Sequence, residues 1–315
     1  MDFKAHKIYY KSSYNNKKLF SKLYIPQGNI KGCVQIVHGM NDNINRYKDI
    51  MKYLAKSGYV CFGGDLLGHG NNVKHPSELG FFSEDLGYKY LINDTHKLFK
   101  IIKNKYPNKP MFIFGHDMGS YIAKLCASKY KNDVNGIILS GTCSNKRYIP
   151  LAIKGLDELI EKRGLHYRSN MIDKSISAVY NHKYVSPIAK KDFLSRERTV
   201  INSVLSDPLC NFTYTLSALK DIYTLSYFAN QKSWFKAIDQ NLSILILTGD
   251  MDPVGGFGKG GKEIYDKLME NEICDISLNI YEGARHDVLN EINRYEVFLD
   301  ISKWLDDTLD IWNYK

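Results

Sequence analysis

Ile113-Phe114-Gly115-His116-Asp117-Met118-Gly119-Ser120 runs from an apolar strand straight into an amphipathic helix, with a glycine two positions either side of residue 117. Small residues on both flanks let the backbone turn sharply, so the side chain at 117 stands above the edge of the sheet, as in a nucleophile elbow. The turn calls for a strained backbone, often of positive φ, which aspartate tolerates better than most residues. A carboxylate there also meets the free N–H groups and positive dipole end of the following helix. The bland alternative is that Asp117 only caps that helix.

The surroundings decide between a cap and a site. Val37-His38-Gly39-Met40 follows the apolar run VQIV and makes a turn able to aim a backbone N–H at the elbow. Together with the N–H of Met118 it makes a two-donor oxyanion hole. Gly249-Asp250-Met251-Asp252-Pro253-Val254 follows ILILT and sets an acid at the end of a later strand. Gly283-Ala284-Arg285-His286-Asp287 follows the last strand and carries a histidine on a loop that can reach back over the sheet. The chain order is elbow, acid, histidine.

Outward from the elbow, short β-branched or apolar runs recur: HKIYYKS, LFSKLYIP, GCVQIVHG, GYVCFGGD, MFIFGHD, GIILSGT, SILILTGD and ISLNIYEG. Helix-length amphipathic segments separate the later ones, over 47–57, 86–106, 118–130, 261–271 and 294–307. This alternation predicts an α/β architecture, a mostly parallel, doubly wound sheet of about eight strands with helices on both faces. It breaks once. Residues 143–235 hold helix-like patches and seven tyrosines but no buried strand, which predicts a helical cap inserted above the strand ends of a core formed by 1–142 and 236–315. Gly255 to Gly261 (GGFGKGG) reads as a flexible loop.

With 315 residues, 44% of them hydrophobic and 24% charged, the chain can bury a sizeable core. It shows no apolar leader and no membrane-length apolar run, which predicts a protein that is not exported by a cleaved signal. The six cysteines lie far apart without metal-like spacing, which fits a reduced, cytoplasmic setting. The net charge of +9 is spread as single and paired lysines. No basic block interleaved with aromatics suggests nucleic acid as a partner, and at most a weak attraction to acidic lipid surfaces follows. Neither a cofactor nor a metal is implied, and oligomeric state is left open.

These residues together resemble the α/β-hydrolase superfamily, in its lysophospholipase and monoacylglycerol-lipase-like branch. The likeness rests on His38-Gly39-Met40, Asp65-Leu66-Leu67-Gly68-His69-Gly70, Gly80-Phe81-Phe82, the elbow, Asp252 and His286, and runs from about residue 8 to 310. It implies an acyl-chain ester substrate, Asp252 as the triad acid, His286 as the base, and the N–H groups of Met40 and Met118 as oxyanion donors. Gly39, Gly115 and Gly119 supply the tight turns. His38, His69 and His116 read as hydrogen-bonding turn residues, and His6, His75, His96, His166 and His182 show no partner spacing. Asp250 is the alternative acid, and the cap tyrosines read as packing or pocket lining.

The chain departs from that branch at Asp117, where the branch has serine. A carboxylate attacking an ester carbonyl forms an intermediate that expels the better leaving group. That group is the carboxylate itself, more acidic than an alcohol by on the order of 10 pKa units, so the intermediate reverts. Attack at an sp3 carbon instead yields an ordinary alkyl ester on Asp117, which His286-activated water can cleave. Haloalkane dehalogenases and epoxide hydrolases share that elbow aspartate. The tryptophan that dehalogenases place after it is Met118 here, and the proline that epoxide hydrolases carry beyond His-Gly is Asn41. Three readings therefore stand open: a lipase-like scaffold with a replaced nucleophile and little ester turnover, a working aspartate nucleophile, and a non-catalytic lipid or small-molecule binding protein. In each, two carboxylates flanking His286 hold it protonated to higher pH than a serine triad does.

Overall fold

The structure, a computed structural model, describes residues 2–144, 146–184 and 190–313. The chain opens with β1 (Phe3–Lys11), β2 (Lys18–Pro26) and β3 (Gly32–Val37), then α1 (Lys48–Lys56), β4 (Tyr59–Gly64), α2 (Gly87–Lys105), β5 (Met111–His116), α3 (Met118–Lys129) and β6 (Gly136–Ser140). Helices α4 (Ile149–Arg163), α5 (Asn170–Asn181), α6 (Arg198–Ser206), α7 (Leu216–Ala229) and α8 (Lys232–Ala237) lie between β6 and β7 (Ser243–Gly249). The chain closes with α9 (Lys259–Glu270), β8 (Ile276–Tyr281) and α10 (Arg294–Asn313). The strands form one sheet in the order β1-β2-β4-β3-β5-β6-β7-β8. Pairing is antiparallel at β1–β2 and β2–β4 and parallel from β4 through β8.

All eight sequence-predicted strands form, and the reason shows in β5. Phe112 and Phe114 point to one face, where α1 and α10 bring Ile50, Met51, Leu54, Val297, Phe298 and Ile301. Met111 and Ile113 point to the other, against Leu98 and Phe99 of α2 and Ile122 of α3. A strand buried on both faces needs apolar residues at every position, which is why the central strands read as unbroken runs rather than alternating ones. Helix α7 adds Leu216, Leu219, Ile222 and Leu225 to the core shared with α2 and α3. Helices α4 and α5 instead leave Leu151 (74%) and Met171 (75%) exposed.

Two local expectations are corrected. GGFGKGG is not all loop, because Lys259, Gly260 and Gly261 form the first turn of α9. A Cβ on Gly260 would lie 2.7 Å from the Gly255 carbonyl oxygen and one on Gly261 3.1 Å from Thr248, so Gly260 lets the helix start against the turn before it and Gly261 lets it close onto β7. The last helix also runs past 307 to Asn313. None of the described helices is long and apolar enough to cross a membrane. Of the cysteines, all free, five are buried and Cys274 is exposed.

On the face away from the elbow, the buried Tyr59 donates its hydroxyl to Asp306 at 2.7 Å. Tyr59→Phe is expected to lower stability by about 1 kcal/mol, since Asp306 can still reach water. Urea unfolding checks this, with the slope unchanged and only the midpoint moved.

Candidate active site

The elbow forms because two glycines leave no room for anything else. A Cβ on Gly115 would sit 2.2 Å from the Gly119 carbonyl oxygen, and a Cβ on Gly119 2.2 Å from that of Val37. Between them Asp117 adopts φ 51° and ψ −120°, a conformation costing of order 1–3 kcal/mol that only tight surroundings maintain. Its N–H bonds to the Ser140 carbonyl at 2.9 Å, and its own carbonyl accepts from the N–H of Ser120 at 2.9 Å.

Asp117 occupies the N-cap position of α3, yet its side chain makes no cap hydrogen bond. The carboxylate turns outward instead. Oδ2 accepts the backbone N–H of Met40 at 2.8 Å, and Oδ1 lies 3.8 Å from Nε2 of His286. The Met40 turn approaches this closely because Gly39 has no side chain: a Cβ there would come within 2.8 Å of Asp117 Cβ. Met118 follows directly as the first residue of α3, fully buried.

His286 is 3% exposed and its Nδ1 lies 3.1 Å from both carboxylate oxygens of Asp252. An acceptor-only carboxylate at Nδ1 places the proton on that nitrogen. Asp252 is fully buried, and its Oδ1 also accepts the N–H of Val254 at 2.9 Å, which fixes its plane. The acid that reaches the histidine is therefore Asp252. Asp250, two residues earlier, bonds through its backbone to Tyr281. Asp117, Asp252 and His286 thus come together at the carboxyl ends of β5, β7 and β8, as their chain order predicts.

Burial alone would strip the proton from His286, but Asp252 and then Asp117 and Asp287 outweigh it and push its pKa up to about 9. The carboxylate of Asp287 is one the sequence did not offer. It is 1% exposed and meets Arg46 at 2.6 Å, while Arg46 reaches Asp42 at 3.1 Å and Tyr47 donates to Asp42 at 2.7 Å. The ion pair Asp42–Arg46 has helical spacing that a sequence can suggest. Its extension to Asp287, 241 positions away, leaves no local trace.

His116 also does more than its turn position suggested. Its ring lies 4.8 Å from that of His286, and burial lowers its pKa, so it packs there as a neutral neighbour. A Cβ on Gly141 would strike both rings, at 2.8 Å and 3.0 Å. His38 bonds the Gly39 carbonyl and the Leu66 N–H at 2.9 Å each. Away from the site, His96 pairs with Asp133 at 2.8 Å.

The histidine loop is held from the insertion. The N–H groups of His286 and Asp287 donate to the carbonyls of Phe193 at 3.1 Å and Leu194 at 2.8 Å. Buried Glu291 accepts from the N–H groups of Arg285 and Arg196 and from the Arg196 guanidinium, at 2.9–3.0 Å. No three His, Cys, Asp or Glu side chains among the described residues come together as metal ligands.

The arrangement is a strained carboxylate facing a buried imidazole, with one oxygen already on a backbone donor. The family profile described as serine aminopeptidase S33 (Hydrolase_4) matches residues 28–293. The chain is an α/β-hydrolase of that S33 family. Among relatives, it is 24% identical to the monoglyceride lipase homolog of monkeypox virus, covering 92% of this chain and 95% of that protein. It is also 24% identical to the human monoglyceride lipase, covering 91% and 86% respectively. A thermostable carboxyl esterase from Bacillus coagulans, solved in complex with glycerol, superimposes with a TM-score of 0.91 over 97% of this chain and 99% of that one, at 24% identity. Within the S33 family the chain thus falls in the monoglyceride-lipase-like branch.

Proposed function

We propose that this site takes an acyl-chain ester, of which a monoacylglycerol is the best match, and that the chain as it stands turns such esters over weakly or not at all. In the parent arrangement position 117 supplies a nucleophile, His286 takes its proton, Asp252 orients the ring, and the Met40 and Met118 N–H groups receive the oxyanion. The single observation that carries the reading is the Met40 N–H seated on Asp117 Oδ2 at 2.8 Å. The carboxylate occupies the donor an ester oxygen needs, and as a nucleophile it is also the better leaving group. The names of the relatives support the substrate class. Within the inserted segment, α7 belongs to the core, and α4 and α5, with their exposed apolar side chains, act as the cap and form the part that meets lipid.

The same contact gives a second reading its basis. If Oδ1 displaced halide or opened an epoxide at an sp3 carbon, Oδ2 would become the carbonyl oxygen of the resulting ester, already on the Met40 N–H. Alkylation would also remove the Asp117 charge that helps keep His286 protonated, freeing the ring to activate water.

Assaying the chain and its Asp117→Ser variant with a monoacylglycerol, a short acyl ester, an epoxide and an alkyl halide separates these. Ester hydrolysis that appears only with serine, and prefers the monoacylglycerol, supports the first reading. Epoxide or halide turnover by the chain itself, lost in Asp117→Asn, supports the second and removes the first.

A further inference from the structure

We propose that Tyr214, contributed by the insertion, is a positioning residue that sets the aim of the Met40 N–H. The inference rests on the reading above, in which that N–H is an oxyanion donor. Tyr214 lies between α6 and α7 and is 3% exposed. Its hydroxyl accepts the backbone N–H of Asn41 at 2.7 Å and lies 2.8 Å from Nε2 of His69.

The direction of these bonds is determined. His69 Nδ1 faces the Leu67 carbonyl at 2.9 Å, and a carbonyl only accepts, so Nδ1 carries the proton and Nε2 offers its lone pair. Burial, then the neighbouring His38, lowers the His69 pKa to about 3, so the ring stays neutral. The Tyr214 hydroxyl must therefore donate to His69 and accept from Asn41, with no other rotamer that satisfies both.

Asn41 is where a positional error would enter the oxyanion turn. It sits in the left-handed region at φ 48°, directly after Met40, and Gly39 on the other side imposes little of its own. Its side chain makes a second bond to the same segment, Nδ2 to the Phe212 carbonyl at 2.7 Å. That segment is tied to the core in turn, because the N–H and hydroxyl of Thr215 both donate to the Gly80 carbonyl at 3.0 Å. The turn bearing the donor is thus clamped from the insertion by two bonds, of which the Tyr214 phenol takes the backbone one.

Tyr214→Phe keeps the ring and removes the bond to the Asn41 backbone, leaving only the Asn41 side chain on the Phe212 carbonyl. The first readout is backbone amide exchange by NMR in the chain with Asp117 in place. Exchange at Met40 and Asn41 should rise ~10-fold or more while amides of β4 keep their protection, which global destabilisation would not spare. The second uses the Asp117→Ser background, where kcat for a monoacylglycerol should fall ~10–100-fold, somewhat less than deletion of an oxyanion donor costs, with KM within about threefold. Tyr59→Phe, an equally buried tyrosine on the opposite face, controls for lost stability and should leave kcat unchanged.

Unchanged exchange at Met40 overturns the proposal, as does an active serine variant whose kcat ignores the loss of the hydroxyl. If the serine variant hydrolyses no ester, the functional reading fails by itself, and amide exchange still decides whether Tyr214 holds the turn.

Discussion

Asp117→Ser is expected to raise monoacylglycerol hydrolysis by ~10³-fold or more, in line with what losing a triad nucleophile costs in serine hydrolases. Three changes act together. Serine forms an acyl-enzyme whose alcohol leaving group is protonated by His286, whereas a carboxylate is expelled from its own adduct. The Met40 N–H, now bonded to Asp117 Oδ2 at 2.8 Å, becomes free for the ester oxygen. Removing one of the carboxylates around His286 lowers its pKa toward neutrality, so a larger share of the protein holds the free base at pH 7. Fatty acid release followed over time measures the rate. A folded serine variant with no gain in rate would remove the ester reading, because position 117 would then not be the point of attack.

The titration of His286 carries the second large effect. In the chain as it stands the imidazole should titrate about 2.5 units above its ordinary value, since its pKa is pushed from 6.5 up to about 9. That difference corresponds to about 3 kcal/mol. Because the folded value lies above the unfolded one, this stabilisation is fully present below pH 6.5 and is lost as pH rises through 9. Lys124, whose burial lowers its pKa to about 7, works in the opposite sense, favouring the fold as pH rises from there toward 10.5. The difference between the chain and Asp117→Ser cancels that contribution. The stability of the chain relative to the variant should fall as pH rises from neutrality through about 9, and the imidazole Cε1 proton should report a midpoint near 9 that falls in the variant. A midpoint near 6.5 in the chain itself would mean that the two carboxylates do not hold the ring as described.

The sheet was readable from sequence because each strand has to satisfy a simple constraint. Runs such as CVQIV and FIFG can only be buried on both faces, and each is bounded by glycine or a polar turn. The convergence of residues 117, 252 and 286 was readable from chain order, because parallel strands deliver their carboxyl ends to one rim. Contacts that cross the chain were not readable. The pairing of Arg46 with Asp287 spans 241 positions. The bonds from the Phe193 and Leu194 carbonyls to the histidine loop use backbone atoms, which no side-chain identity announces. Tyr214 was one of seven tyrosines in the insertion, and nothing in its neighbours marked its hydroxyl as the one that meets the Met40–Asn41 turn. The helix start at Lys259 was obscured because glycines usually signal loops, whereas here they permit close packing.

The bonds joining residues 193–196 to the histidine loop also constrain how the enzyme can be rebuilt. If α4 and α5 work as the lid proposed above, residues 193–196 stay bonded to the loop that carries His286. Transplanting a foreign lid from a related enzyme should succeed when the graft ends before residue 190. A longer graft would replace residues 193–196, whose bonds hold the loop that carries His286.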